Sequence, residues 1–252
     1  MANAATAGCI VRTRLLLGAF ALAMASGCAT NGTDARDPIE GFNRAMYGFN
    51  EGFDEVIGKP VATVYHDVLP SFVRTGVRNF FANIDDLLIG VNNLLQGKPV
   101  DAVSDIARLA VNTTIGILGV IDVASNMGLE KHNEDFGQTF GRWGADSGPY
   151  LILPFLGSST LRDTGGLALD WYFAPLAEAR PIALRNSLYA LYFVNTRADL
   201  LGASDLLEQA ALDRYIFQRD AYLQRRRSLI YDGSPPRERE EVNETPEPPV
   251  KQ

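Results

Sequence analysis

The chain has 252 residues, 46% of them hydrophobic, and carries a formal net charge of −7. That length supports one or two domains with a buried core. The acidic balance sets nucleic acid aside as a partner, because a polyanion is repelled, and it leaves membrane contact to apolar surface or a covalent anchor.

The first 27 residues read as an export signal. Arg12 and Arg14 make a basic start, and Leu15 to Met24 form an apolar run too short to cross a bilayer. Ala25-Ser26-Gly27-Cys28 follows. Small residues before a cysteine, directly after such a run, resemble a bacterial lipobox, in which the thiol of Cys28 takes a diacylglycerol before cleavage. Ordinary secretory cleavage is the alternative, and Ala25 speaks for it, since the lipobox pattern prefers Leu there. The cysteine count speaks for lipid: Cys9 leaves with the signal, so Cys28 remains alone with no partner for a disulfide. Ala29, where an Asp would mark inner-membrane retention, favours the outer membrane. The expected division is a signal over 1–27, a lipidated linker over 28–36, a helical domain over 37–231 and a disordered tail over 232–252.

Asp37-Pro38-Ile39-Glu40 has the form of a helix start, with Asp37 as cap, Pro38 in the first turn and Glu40 at the capping-box position. Ile39, Phe42, Met46, Phe49, Phe53 and Val56 continue it as an apolar stripe. A second stripe, Gly41, Ala45, Gly48 and Gly52, predicts close packing of another backbone or of lipid. Pro60 and Pro70 punctuate the next stretch. From Ser71 the spacing of Val73, Val77, Phe80, Ile84, Leu87, Val91 and Leu94 predicts a helix with a break near Asn83, stopped at Gly97 and restarted at Pro99.

The following helix is expected to carry Val100, Val103, Ile106, Ala110, Ile117 and Ile121. Its second half, after Arg108, holds no charge as far as Ile121, which suits either a packed core or a re-entrant or interfacial contact with lipid. Gly137 to Gly166 reads as a glycine-rich loop with an apolar tip at Tyr150-Leu151-Ile152-Leu153. Two more helices are expected, about Ile182 to Leu201 and Asp205 to Arg226, the latter capped by Asp205 and Glu208 and ended by Arg225-Arg226-Arg227. No run of alternating ten-residue strands marks the chain as an outer-membrane barrel.

Catalytic constellations are poorly supported. His66 and His132 are the two histidines. His132-Asn133-Glu134-Asp135 reads as a surface polar turn rather than a metal site, because neighbouring residues do not converge on one ion. Gly157-Ser158-Ser159-Thr160 is a turn or helix cap, not a nucleophile elbow, and Asp85-Asp86 reads as a solvated helix start. The glycines form no phosphate loop. No cofactor or metal is expected.

Several ordered segments resemble the MlaA (VacJ) lipoprotein family. The opening one is Asp37-Pro38-Ile39-Glu40-Gly41-Phe42-Asn43-Arg44-Ala45-Met46-Tyr47. The others are Val91 to Lys98, Asn112 to Gly116, Asp135 to Thr139, Gly148-Pro149-Tyr150, Leu161-Arg162-Asp163, and Asp213-Arg214-Tyr215 with Arg219 to Tyr222. Together they cover about Asp37 to Arg227. The resemblance implies an all-α, ring-like, membrane-embedded domain with an amphipathic central channel. It implies an outer-membrane lipoprotein that takes mislocalised phospholipid from the outer leaflet and passes it to the periplasmic carrier MlaC, beside a trimeric porin. It implies no enzymatic reaction.

Within that reading Ile115, Ile117, Leu118 and Ile121 are candidates for lipid contact. The stretch with Gly141, Gly144, Gly148, Pro149 and Tyr150 is the candidate gate, since glycines permit hinge motion. The alternatives are a lipoprotein that only scaffolds a porin or envelope complex and, with less support, a lipid hydrolase.

Overall fold

The computed structural model describes residues 34–204 and 212–236. The signal, Cys28, the Asp205–Glu208 cap and the tail beyond 236 therefore lie outside the described residues.

Helix α1 (Glu40–Phe53), a π segment (Asp54–Gly58) and α2 (Lys59–Val68) run on without a gap. Pro60 does not break this rod. A proline lacks the N–H of the ladder and crowds the carbonyl four residues back, and the widened π turn before it gives that ring room. Asp37 is not the cap of α1. The chain enters the helix at Ile39 without a side-chain cap, and Asp37 is fully buried instead.

Helices α3 (Ser71–Leu95) and α4 (Pro99–Thr114) form a long antiparallel hairpin. The expected break at Asn83 is absent. The turn works because Gly97 takes φ +79°, letting the Lys98 N–H reach Asn93 O at 2.9 Å. The expected helix through Ile121 ends early, at Thr114. Residues 115–121 wind through turns to the short α5 (Val123–Asn126).

The region expected as a glycine-rich loop is instead helix, hairpin and helix. Helix α6 (Phe136–Arg142) is capped by Asp135. Strands β1 (Tyr150–Leu153) and β2 (Gly157–Thr160) pair antiparallel, Tyr150 opposite Thr160 and Leu153 opposite Gly157. The Tyr-Leu-Ile-Leu run favours a pleated, half-buried surface, and Tyr150 and Ile152 turn inward. The fold is thus mostly helical, but the all-α expectation misses this sheet. Thr160 caps α7 (Leu161–Phe173), a single 3-10 turn (Pro175–Glu178) leads to α8 (Ile182–Asp199), and α9 (Arg214–Ile230) closes the described fold. Helices α6 and α7 approach closely at Gly166, where an added Cβ would lie 2.2 Å from the Gly137 nitrogen.

The interior is inverted relative to a water-soluble protein. Along α3 the buried positions include Asn83, Asp86, Asn92 and Asn93, and along α4 they include Asp105, Arg108 and Asn112. The apolar stripe read from sequence faces outward at its end and along the next helix: Leu94 is 63% exposed, Val100 79% and Val103 70%. Among the described residues more polar than apolar side chains are buried, whereas water normally drives the opposite sorting. The stripe of Gly41, Ala45, Gly48 and Gly52 does not receive another backbone among the described residues. All four positions are exposed, and a Cβ at Gly48 or Gly52 would meet nothing.

Candidate functional site

The outward apolar surface comes to a point in the turns after α4. Ile115, Ile117 and Leu118 are 64%, 65% and 64% exposed, and Ile121 is exposed too. The backbone is strained to present them. Ile117 and Leu118 both have positive φ, 53° and 57°, a region that costs an L-residue roughly 1–2 kcal/mol and that β-branched residues rarely adopt. Bonds from Leu118 N to Thr113 O (3.1 Å), Gly119 N to Asn112 O (2.8 Å) and Ile121 N to Gly116 O (2.9 Å) hold the loop. These four side chains are thus not packed into a core among the described residues.

Behind that surface lies a hydrogen-bonded interior. Arg108 donates to both oxygens of Asp122 at 3.2 and 3.1 Å and to Ser125 Oγ at 3.0 Å. Asn112 binds Asp122 from one side and the Ala124 N–H from the other. Asp86, expected at a solvated helix start, is buried mid-helix and paired to Lys131. Burial pushes its carboxyl up, with Lys131 and Arg108 opposing. His132 binds Asp105 at 2.9 Å, and Glu134 meets Lys98 at 3.0 Å. The expected surface turn is therefore a strap along the turn half of the α3–α4 hairpin, tied to Asp105 on α4 and to Lys98 in the turn itself. Among the described residues no group of side chains could hold a metal.

The opening signature acts as a clamp. Asn43 donates to Asp37 Oδ1 at 2.8 Å and to Tyr150 O at 2.9 Å, and its own carbonyl accepts from Ile152 N at 2.9 Å. Asp37 also takes the Tyr215 hydroxyl and, at 3.4 Å, Arg219. Arg44 bridges Glu40 and Asp213 while its guanidinium lies 4.5 Å over the Tyr215 ring. Phe42 is half-buried and Pro38 exposed.

The candidate gate divides into two parts. Gly144 and Gly148 are exposed at positive φ, and Gly141 packs against Ile230. Tyr150 is an anchor and not an apolar tip: it is 0% exposed, with its hydroxyl 2.8 Å from Ser158 Oγ. The exposed apolar turn is Phe155-Leu156, between the strands.

Sequence reasoning did not single out Arg226, which joins three distant motifs. Its guanidinium donates to Asp135 at 2.6 and 2.9 Å and to Asp163 at 3.1 and 3.0 Å. Burial raises both carboxyls, but Arg226 outweighs it and holds each below the usual range. The signal was present in the spacing of the Asp135, Asp163 and α9 segments, but nothing in a linear chain says that they meet. Arg226 borders two cavities. A cavity of about 640 Å³ is lined mainly by polar groups, among them Arg36, Asp146, Ser147, Arg162 and Asp220. A second, of about 230 Å³, sets Leu153, Leu156 and Leu167 against Asp135, Asp163 and Asp170. Burial pushes Asp170 up to about 6, aided by Asp135. Asp85, unlike its neighbour Asp86, is exposed.

A family model described as MlaA lipoprotein matches residues 35–229. The chain is 39% identical over 229 residues to the intermembrane phospholipid transport system lipoprotein MlaA of Escherichia coli K12, covering 87% of this chain and 90% of the relative. It is 33% identical to the Haemophilus influenzae protein of the same description, covering 88% and 93%. It superposes with a TM-score of 0.68 and 36% identity on a solved structure from work on the structural basis for maintenance of bacterial outer membrane lipid asymmetry, covering 77% of this chain and 98% of that one.

Proposed function

The chain belongs to the MlaA lipoprotein family, and from that premise we propose that it is a phospholipid-transport lipoprotein of the outer membrane that maintains lipid asymmetry there. One observation supports this reading above the others: the polar side chains are inside and the apolar ones outside. In water such a surface would associate. Against acyl chains it is stable, because hydrocarbon exerts no drive to bury hydrocarbon. No helix among the described residues is long and apolar enough to cross a membrane; on this reading the domain sits in the lipid by its outward apolar surface. Ile115, Ile117, Leu118 and Ile121 contact acyl chains.

The hydrogen-bonded interior and the apolar exterior supply the two kinds of surface that a two-tailed lipid with a charged head requires. We take the helices to form a ring around a path for that lipid, with hinge motion confined to Gly144–Gly148, because Tyr150 is pinned. Cys28 carries the lipid anchor, the domain faces the periplasm, and phospholipid leaves the outer leaflet toward the carrier MlaC beside a trimeric porin. The test is photocrosslinking from Ile117 or Leu118 in cells. Phospholipid adducts are expected; protein adducts alone would favour a scaffold. Cys28→Ala should release the protein from the outer membrane.

A further inference from the structure

The smaller cavity lies between the β1–β2 hairpin, α7 and α9, and it is two-sided. Leu153, Leu156 and Leu167 form one wall. The other has three carboxylates, Asp135, Asp163 and Asp170, facing one guanidinium, Arg226. At about 230 Å³ it is smaller than the roughly 300–1,000 Å³ of pockets that take a drug-sized ligand, a size for a lipid headgroup and not for two acyl chains. The charges lean negative even with Arg162 counted, which binds Asp163 at 2.9 Å and leaves three carboxylates against two guanidiniums. Four hydrogen bonds already tie Arg226 to Asp135 and Asp163, leaving at most one of its five N–H groups for an added phosphate. Asp170 has no ion-pair partner among the described residues; its contact is the Phe136 N–H at 3.2 Å.

Resting on the conduit reading above, we propose that this cavity is a headgroup seat selective for phospholipids that carry a primary ammonium. The ammonium docks on Asp170, the phosphate takes the remaining N–H of Arg226, and the first methylenes lie along Leu153, Leu156 and Leu167. A net-anionic headgroup brings no cation to Asp170 and meets the carboxylate excess, so it is disfavoured by both attraction lost and repulsion gained. A quaternary ammonium fits the charge but has no N–H to donate.

The test uses the full lipidated chain in mild detergent. It is incubated with vesicles of equal parts phosphatidylethanolamine, phosphatidylglycerol and phosphatidylcholine and re-isolated, and the retained lipid is quantified by mass spectrometry. Phosphatidylethanolamine should be enriched roughly tenfold or more over each of the others, the factor expected of one charge-assisted hydrogen bond. Asp170→Asn keeps an acceptor for the Phe136 N–H and should bring the ratios close to one; circular dichroism checks that the helices persist. Lipid retained without preference by the wild type, or a preference untouched in folded Asp170→Asn, overturns the headgroup seat and leaves the conduit reading standing. No lipid retained at all overturns both. The comparison of the three headgroups on wild-type protein alone decides the matter if the variant does not fold.

Discussion

The two ends of this molecule are built on opposite rules. Around the β-hairpin and α9, Tyr150, Ile152 and Tyr215 form an apolar nucleus, with Met46, Tyr47, Tyr222 and Leu223 packed on it, beside the buried polar clamp of Asp37, Asn43 and Arg219. In the α3–α4 hairpin and α5 the centre is Asp86, Arg108, Asn112 and Asp122, and the hydrocarbon faces out. The nucleus draws its stability from the exclusion of water. The hairpin cannot, if lipid surrounds it, and depends on hydrogen bonds that grow stronger as the surroundings grow less polar. One chain thus combines an apolar nucleus with an arm whose centre is polar and whose hydrocarbon faces out.

That contrast is most exposed at Arg108. Arg108→Ala leaves Asp122 without its cation and buried Asp86 with Lys131 alone, and breaking such a buried pair is expected to destabilise by about 3–5 kcal/mol. Denaturant unfolding in detergent micelles measures it. A loss under about 1 kcal/mol would mean that the polar centre is not what holds the arm. Ile152→Ala removes an apolar side chain that is 1% exposed and should cost about 3 kcal/mol by lost burial and cavity formation. If Ile152→Ala proves the more damaging, the ranking of the two ends is reversed.

A third test sharpens the contrast through pH. Burial raises the Asp122 carboxyl, but Ser125, Asn112 and Arg108 outweigh it and bring it down to about 2 from an ordinary 3.8. The folded value lies below the unfolded one, so the contribution is fully present above about pH 4 and is lost as pH falls through 2. It amounts to about 2 kcal/mol. Asp122→Asn should therefore be less stable than wild type by about that much at pH 6, with the gap closing toward pH 2. A gap that stays constant with pH would show that the Asp122 charge is not coupled to folding. The apolar nucleus offers no equivalent, since Ile152 does not titrate.

Most helices were legible in the sequence because apolar periodicity does not depend on which way the stripe points. The stripes from Val73 to Leu94 and from Val100 to Ile106 correctly mark α3 and α4, yet the same pattern fits a face turned to lipid as well as a face turned to a core. Direction becomes visible only when Asn83, Asp86 and Asn93 meet Thr113, Lys131 and Asp105. The sheet was missed because glycines and prolines flank a strand of only four residues. The clamp at Asn43 was found as a motif and not as a clamp. The Arg226 junction was not found, because its three acidic and basic members lie on separate elements.

The smallest change in folding is expected where the arm is most apolar. Val100 and Val103 are among the most exposed residues of α4, so replacing both with serine removes little packing and should shift unfolding in micelles by no more than about 0.5 kcal/mol. Binding to bilayers should respond far more. Each valine that leaves hydrocarbon for water loses roughly 1.5 kcal/mol, which for the pair is on the order of a hundredfold in partition. The measurement is flotation with vesicles in a Cys28→Ala background, where no lipid anchor masks the loss. Unfolding unchanged and flotation lost would place this face in lipid. Unfolding weakened with flotation intact would instead make Val100 and Val103 part of an interior that another protein completes, and would return the arm to the same rule as the hairpin nucleus.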